Sequence, residues 1–178
     1  MAMRAPLSLK ARAIGLLAQR EHSRTELKRK LLRVQQQQRQ RLLQAAPAAE
    51  AESAEQGTPP DADASEAAVD ALLDALAADG YLDETRFVES RLHLRAGRFG
   101  AQRIQQELAQ HGLRLDAEQQ EALRASELER AREVWHKRFG MEPARDTTEQ
   151  ARQTRFLLAR GFAPDVVRRL LRAQGALD

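Results

Sequence analysis

Five cations fall within ten residues at Arg24, Lys28, Arg29, Lys30 and Arg33, with Glu26 the one acid among them. Such a segment can neutralise phosphates or engage an acidic protein groove, and charge alone does not separate the two. Arg91, Arg95 and Arg98 form a second basic stripe at near-helical spacing, with Arg103 close behind, and Arg168, Arg169 and Arg172 form a third group near the C-terminal end. Apolar residues interleave the outer groups: Leu27 and Leu31 in one, Val167 and Leu171 in the other. A helix through either segment would turn its apolar stripe inward and its cations to solvent. These twelve residues are the candidate partner-binding set. The competing reading is that they solvate helix surfaces and pair with nearby acids such as Glu26 or Glu107.

Catalytic chemistry finds no comparable foothold. The chain has no cysteine, which removes thiolate nucleophiles, disulfides and Cys-based zinc sites. His22, His93, His111 and His136 show no metal-binding spacing, and no phosphate-cradling glycine loop or nucleophile elbow occurs. Asp83 and Glu84 are adjacent at a helix start, where they complement the macrodipole. Neither catalysis nor a metal, a cofactor or a small-molecule substrate is expected. Trp135 and Phe139, four residues apart, read as core rather than as a base-stacking platform.

The elements that position these residues are helices. Leu, Ala, Arg, Gln and Glu dominate, β-branched residues are few, and there are only seven aromatics. Caps and glycine stops predict helices over about 8–20, 23–44, 65–79, 83–96, 100–111, 116–125, 126–139, 146–160 and 163–174. Gly80, Gly112, Gly140 and Gly175 are expected to close helices in a left-handed conformation. The run Ala13 to Ala18 is too short for a membrane span or signal core, so a cytoplasmic protein without membrane contact is expected. Residues 1–46 hold eleven bases and two acids, whereas residues 47–79 hold nine acids and no base. The segment 35–64, glutamine-rich and then rich in Ala, Glu and Pro, reads as a low-complexity insert whose later part is mobile.

One helix-turn-helix pattern occurs three times. Leu17, Leu94 and Leu157 correspond, then His22, Phe99 and Phe162 before the second helix, then Leu27, Ile104 and Val167 within it. Each of the last two trios fits a hydrophobic staple, which makes His22 a packed structural imidazole. Ser23-Arg24-Thr25-Glu26 reads as a capping box, Gly100 is tolerated at N-cap, and Pro164 suits N1. A further helix per pair gives an all-α, elongated, curved array of three tandem three-helix repeats over 1–79, 80–125 and 126–178. The expected core is Leu16, Leu17, Leu27, Leu31, Leu72, Leu73, Leu76, Phe87, Leu94, Ile104, Leu108, Val134, Phe156, Leu157, Val167 and Leu171.

Four segments in order resemble the RecX family: Arg20 to Leu31, Gly80 to Phe87, Gly97 to Ile104 and Arg155 to Phe162. The insert at 35–64 departs from that family's compact pattern. The resemblance implies three tandem three-helix repeats and negative modulation of the RecA recombinase, by binding in the groove of its nucleoprotein filament and obstructing filament growth and activity. Its implied partner is the RecA filament, with single- or double-stranded DNA as a further candidate. A direct helix-turn-helix DNA-binding protein is the competing function.

Overall fold

The computed structural model describes residues 7–45, 61–140, 144 and 146–173. Among them there are nine helices and no strand: α1 Leu9–Leu17, α2 Arg24–Ala45, α3 Asp61–Ala78, α4 Glu84–Ala96, α5 Ala101–Ala109, α6 Ala117–Ala125, α7 Glu127–Phe139, α8 Thr147–Ala159 and α9 Pro164–Ala173. The all-α reading therefore holds, with most helix limits within two residues of those expected. The exceptions are α1, which ends at Leu17 three residues before the expected limit, and α3, which starts at Asp61 inside the expected mobile stretch. Thr58-Pro59-Pro60 blocks an incoming helix but not one that begins immediately afterwards. Residues 46–60 and Gly175, on which a loop and a helix stop were expected, lie outside the described residues.

Local chemistry fixes most helix starts. Ser8, Asp116 and Asp146 accept from backbone N–H groups three residues on, at 3.2, 2.7 and 2.8 Å, and Ser23 Oγ accepts from Glu26 N at 3.1 Å. Asp83 Oδ1 accepts from both Thr85 N and Arg86 N. Gly80, Gly112 and Gly140 take the expected positive φ.

The chain divides into two compact units, Met1–Phe87 and Val88–Asp178, the division falling within α4. In the first, Ala13, Leu27, Leu31, Val69, Leu73, Leu76 and Leu82 from α1, α2, α3 and the following turn form one buried cluster. In the second, Ala131, Val134, Trp135, Leu157, Phe162, Val166, Val167, Leu170 and Leu171 form another around α7, α8 and α9. Trp135 is fully buried, with its indole N–H donating to Gln153 Oε1 at 2.9 Å. Leu94 corrects the expected core: it is 63% exposed. It lies two turns beyond Phe87 on the same face of α4, so sequence equivalence to Leu157 did not confer equal burial.

The second and third turns interlock through backbone. Gly100 N donates to Arg160 O at 2.9 Å and Gln102 N to Gly161 O at 3.2 Å. A Cβ on Gly100 would lie inside the Gly161 carbonyl, and Gly161 itself has φ of 79° against Arg103. Close approach, rather than mere N-cap tolerance, is thus what Gly100 serves.

Carboxylates from neighbouring helices complete the caps. Glu84, the first residue of α4, accepts from Arg24 N at the start of α2 (3.3 Å). Glu127, the first residue of α7, does the same for Ala101 N at the start of α5 (3.0 Å), and also accepts from Ala163 N ahead of α9 (3.3 Å). One turn along α7, Arg130 donates to Ala96 O, Phe99 O and Leu123 O. Burial pushes this guanidinium down from its ordinary pKa and Glu127 opposes that shift, yet an arginine stays charged.

His22 is buried in the first turn, as the staple reading requires. The Arg20 carbonyl can only accept, so Nδ1 donates to it at 2.9 Å, leaving Nε2 to accept from the Lys30 ammonium at 2.9 Å. Burial lowers the His22 pKa, and the Arg20 and Lys30 charges add to that against the Arg20 carbonyl and Glu26. Burial also raises Glu26, but Arg20, then His22 and Lys30, outweigh it and hold Glu26 at about 2. The folded state therefore binds fewer protons at His22 than the unfolded chain just below pH 6.5, and stability falls as pH drops there. The Glu26 contribution persists above its ordinary 4.5 and is lost as pH falls toward 2. His22→Phe is expected to fold and to flatten the stability profile just below pH 6.5, measured by urea unfolding. An unchanged profile would remove His22 from this role.

Candidate interface for an anionic partner

Intramolecular pairing divides the twelve sequence-chosen cations. On α2, Arg24 reaches Asp74 at 2.7 Å and Asp70 at 3.9 Å, while Lys28 reaches Glu66 at 2.6 Å and Asp70 at 2.8 Å. Asp70 and Glu66 accordingly hold the Lys28 pKa above its ordinary value. Lys30 lies 3.4 Å from Glu26. Arg24, Lys28 and Lys30 of the five α2 cations are thus held in ion pairs within the chain. The sequence showed one acid within the segment, but α3 brings Glu66, Asp70 and Asp74 alongside it. Replacing Arg24, Lys28, Arg29 and Lys30 together would cut α2–α3 ion pairs along with any interface. Arg29 and Arg33 stay exposed, without an ion-pair partner among the described residues.

The second stripe is similarly split. Arg91 and Arg95 both bind Glu107, at 3.1 and 3.0 Å. Arg98 and Arg103 have no ion pair among the described residues and instead lie over the Phe99 ring, at 5.8 and 5.4 Å, with Arg95 at 5.4 Å. Phe99 is only partly buried, unlike His22 and Phe162 at the matching positions, and these guanidiniums cover part of the ring that the core leaves open. On α9, Val166, Val167, Leu170 and Leu171 fill the core, whereas Arg168, Arg169 and Arg172 are exposed and unpaired among the described residues.

Sequence reasoning missed three further cations. Arg160, at the end of α8, lies 5.7 Å over Phe99 and 4.5 Å over Phe156, and donates to Arg98 O at 3.1 Å. Phe156 meets Phe139 edge-on at 5.1 Å, and Arg138 lies 5.6 Å over Phe139. Lys137 is exposed beside them. Their gathering depends on three chain segments, so no local spacing announced it. Among the described residues, no three His, Asp or Glu side chains form a group able to hold a metal, and no helix is long and apolar enough to cross a membrane.

Residues 125–171 match the family model described as the third three-helix domain of RecX. The chain is 45% identical to "Regulatory protein RecX" of Ralstonia nicotianae over 176 residues, covering 98% of this chain and 92% of that protein. The chain belongs to the RecX family. It is also 48% identical over 171 residues to the protein of that name from Leptothrix cholodnii, covering 95% and 90% of the two chains. Against the RecX protein of Chromobacterium violaceum, identity is 38% over 171 residues, with 96% and 93% covered. These relatives are named as regulatory proteins and span nearly the whole chain.

Proposed function

We propose that this chain is a cytoplasmic, non-enzymatic negative modulator of the RecA recombinase, docking on the RecA nucleoprotein filament and limiting its growth and activity in repair and recombination. Membership of a family of regulatory proteins supports the role. The observation that carries the docking mode is the division of α9 into a buried apolar face and an exposed face of Arg168, Arg169 and Arg172. A helix anchored on one side presents its guanidiniums at fixed spacing, ready for phosphate or carboxylate groups. Arg29 and Arg33 on α2 form a second proposed contact.

The test is inhibition of filament extension and ATP hydrolysis by RecA on single-stranded DNA. The triple replacement of Arg168, Arg169 and Arg172 by Ala should keep the parent's helical spectrum and unfolding midpoint. Three rim cations at about 0.5 kcal/mol each predict a loss of inhibitory potency of roughly tenfold. Rising salt should weaken the parent more steeply than the variant. Full potency in the folded variant would remove α9 from the interface, and a parent that left RecA unaffected would sink the function itself.

A further inference from the structure

Charges alternate between α2 and α3 in a ladder of five side chains. Glu66 reaches Lys28 at 2.6 Å, Lys28 reaches Asp70 at 2.8 Å, Asp70 reaches Arg24 at 3.9 Å and Arg24 reaches Asp74 at 2.7 Å. We infer that Glu66, Asp70 and Asp74 form an autoinhibitory row, which competes with an anionic partner for Arg24 and Lys28 and so limits how strongly α2 can engage it. The partner is the RecA filament of the docking reading above, on which this role rests.

Packing keeps the row in place. Val69, Leu73 and Leu76 of α3 are fully buried and share one cluster with Leu27 and Leu31 of α2. Asp70 and Asp74 directly follow Val69 and Leu73 in the chain, so burying the apolar stripe of α3 sets these acids at its rim. Lys28 follows Leu27 in the same way and lies at the rim of α2. The acids cannot withdraw without exposing that core. A partner's phosphate or carboxylate therefore meets three negative charges for two positive ones, and must overcome both the existing pairs and the repulsion.

The pairs are nevertheless weak enough to be contested. Glu66 and Asp74 stay more than half exposed, and exposed pairs of this kind hold their cations loosely. Helix α9 supplies the contrast. Its arginines also flank a buried apolar stripe, yet Arg168, Arg169 and Arg172 meet no ion-pair partner among the described residues. The row thus distinguishes two basic helices that look alike along the chain, leaving α9 at full strength and α2 with Arg29 and Arg33 alone.

The test combines Glu66→Gln, Asp70→Asn and Asp74→Asn in one full-length variant. Its control combines Glu118→Gln, Glu121→Gln and Glu133→Gln, three exposed acids of α6 and α7 whose loss changes net charge equally. Two measurements are made: the salt needed to elute each protein from immobilised heparin, and the concentration that half-inhibits RecA ATP hydrolysis on single-stranded DNA. The row variant should elute later than its control and inhibit RecA at roughly fourfold lower concentration, about twofold for each released cation. The gain should shrink as salt rises. It should vanish when Arg24→Gln and Lys28→Gln are added, although those two replacements alone should weaken the parent less than about twofold. The amides preserve side-chain size and leave the core untouched, so the unfolding midpoint should stay near that of the parent. Asp70→Asn alone, which touches both cations, repeats the test at smaller amplitude should the triple variant unfold early. Equal elution of row variant and control, or a gain that survives the loss of Arg24 and Lys28, would overturn the row. Heparin reads the row without RecA, so a parent that leaves RecA unaffected removes the docking reading while elution still decides whether the acids mask α2.

Discussion

Replacing Glu127 by alanine should cost about 3 kcal/mol of stability, the largest effect expected from any exchange of a charged residue in this chain. Its side chain is 3% exposed, and one carboxylate oxygen accepts from Ala101 N at 3.0 Å and Ala163 N at 3.3 Å. Losing an N-terminal cap costs about 1 kcal/mol per helix, and here two are lost together. Alanine would also leave two N–H groups without their acceptor and deprive the half-buried Arg130 of a nearby opposite charge. Glu127→Gln keeps an acceptor oxygen while removing the charge that both helix dipoles favour, so it should recover roughly half of the loss. Urea unfolding followed by circular dichroism measures both variants. A loss below about 1 kcal/mol for Glu127→Ala would show that water replaces the carboxylate at both helix ends.

Gly100→Ala should destabilise the second unit by roughly 3 to 5 kcal/mol, although alanine is ordinarily the better helix former. The φ of Gly100 is −75°, which any residue adopts, so the penalty is steric and not conformational. The new Cβ would occupy the place of the Gly161 carbonyl, and that carbonyl accepts from Gln102 N at 3.2 Å. Relief requires the two turns to separate, which also breaks the bond from Gly100 N to Arg160 O. Thermal unfolding should show the drop, and Gly97→Ala, where a Cβ meets nothing within 4 Å, is the matched control. A Gly100→Ala protein as stable as that control would mean that the turns separate freely.

Helix type and helix limits were legible because their causes are local. Ser23 caps α2 through Glu26 N, and Gly80, Gly112 and Gly140 stop helices by a left-handed φ, all within a few residues of chain. The apolar stripe of α9 at Val167 and Leu171 was readable from its spacing for the same reason. Leu94 was misread because a periodic apolar residue is buried only where another element reaches it, and among the described residues its own face of α4 is left largely uncovered.

By itself, the sequence determined an all-helical chain with three capped turns, a buried His22 standing where two copies carry Phe, and a recognisable family. Which cations are paired within the chain depended instead on how the helices pack. Pairing energy depends on distance through space, and the acids facing Lys28 lie about forty residues away along the chain on α3. The same dependence gathers Arg98, Lys137, Arg138 and Arg160 from three segments that show no common spacing, and brings Glu127 to two helix ends that no local motif connects.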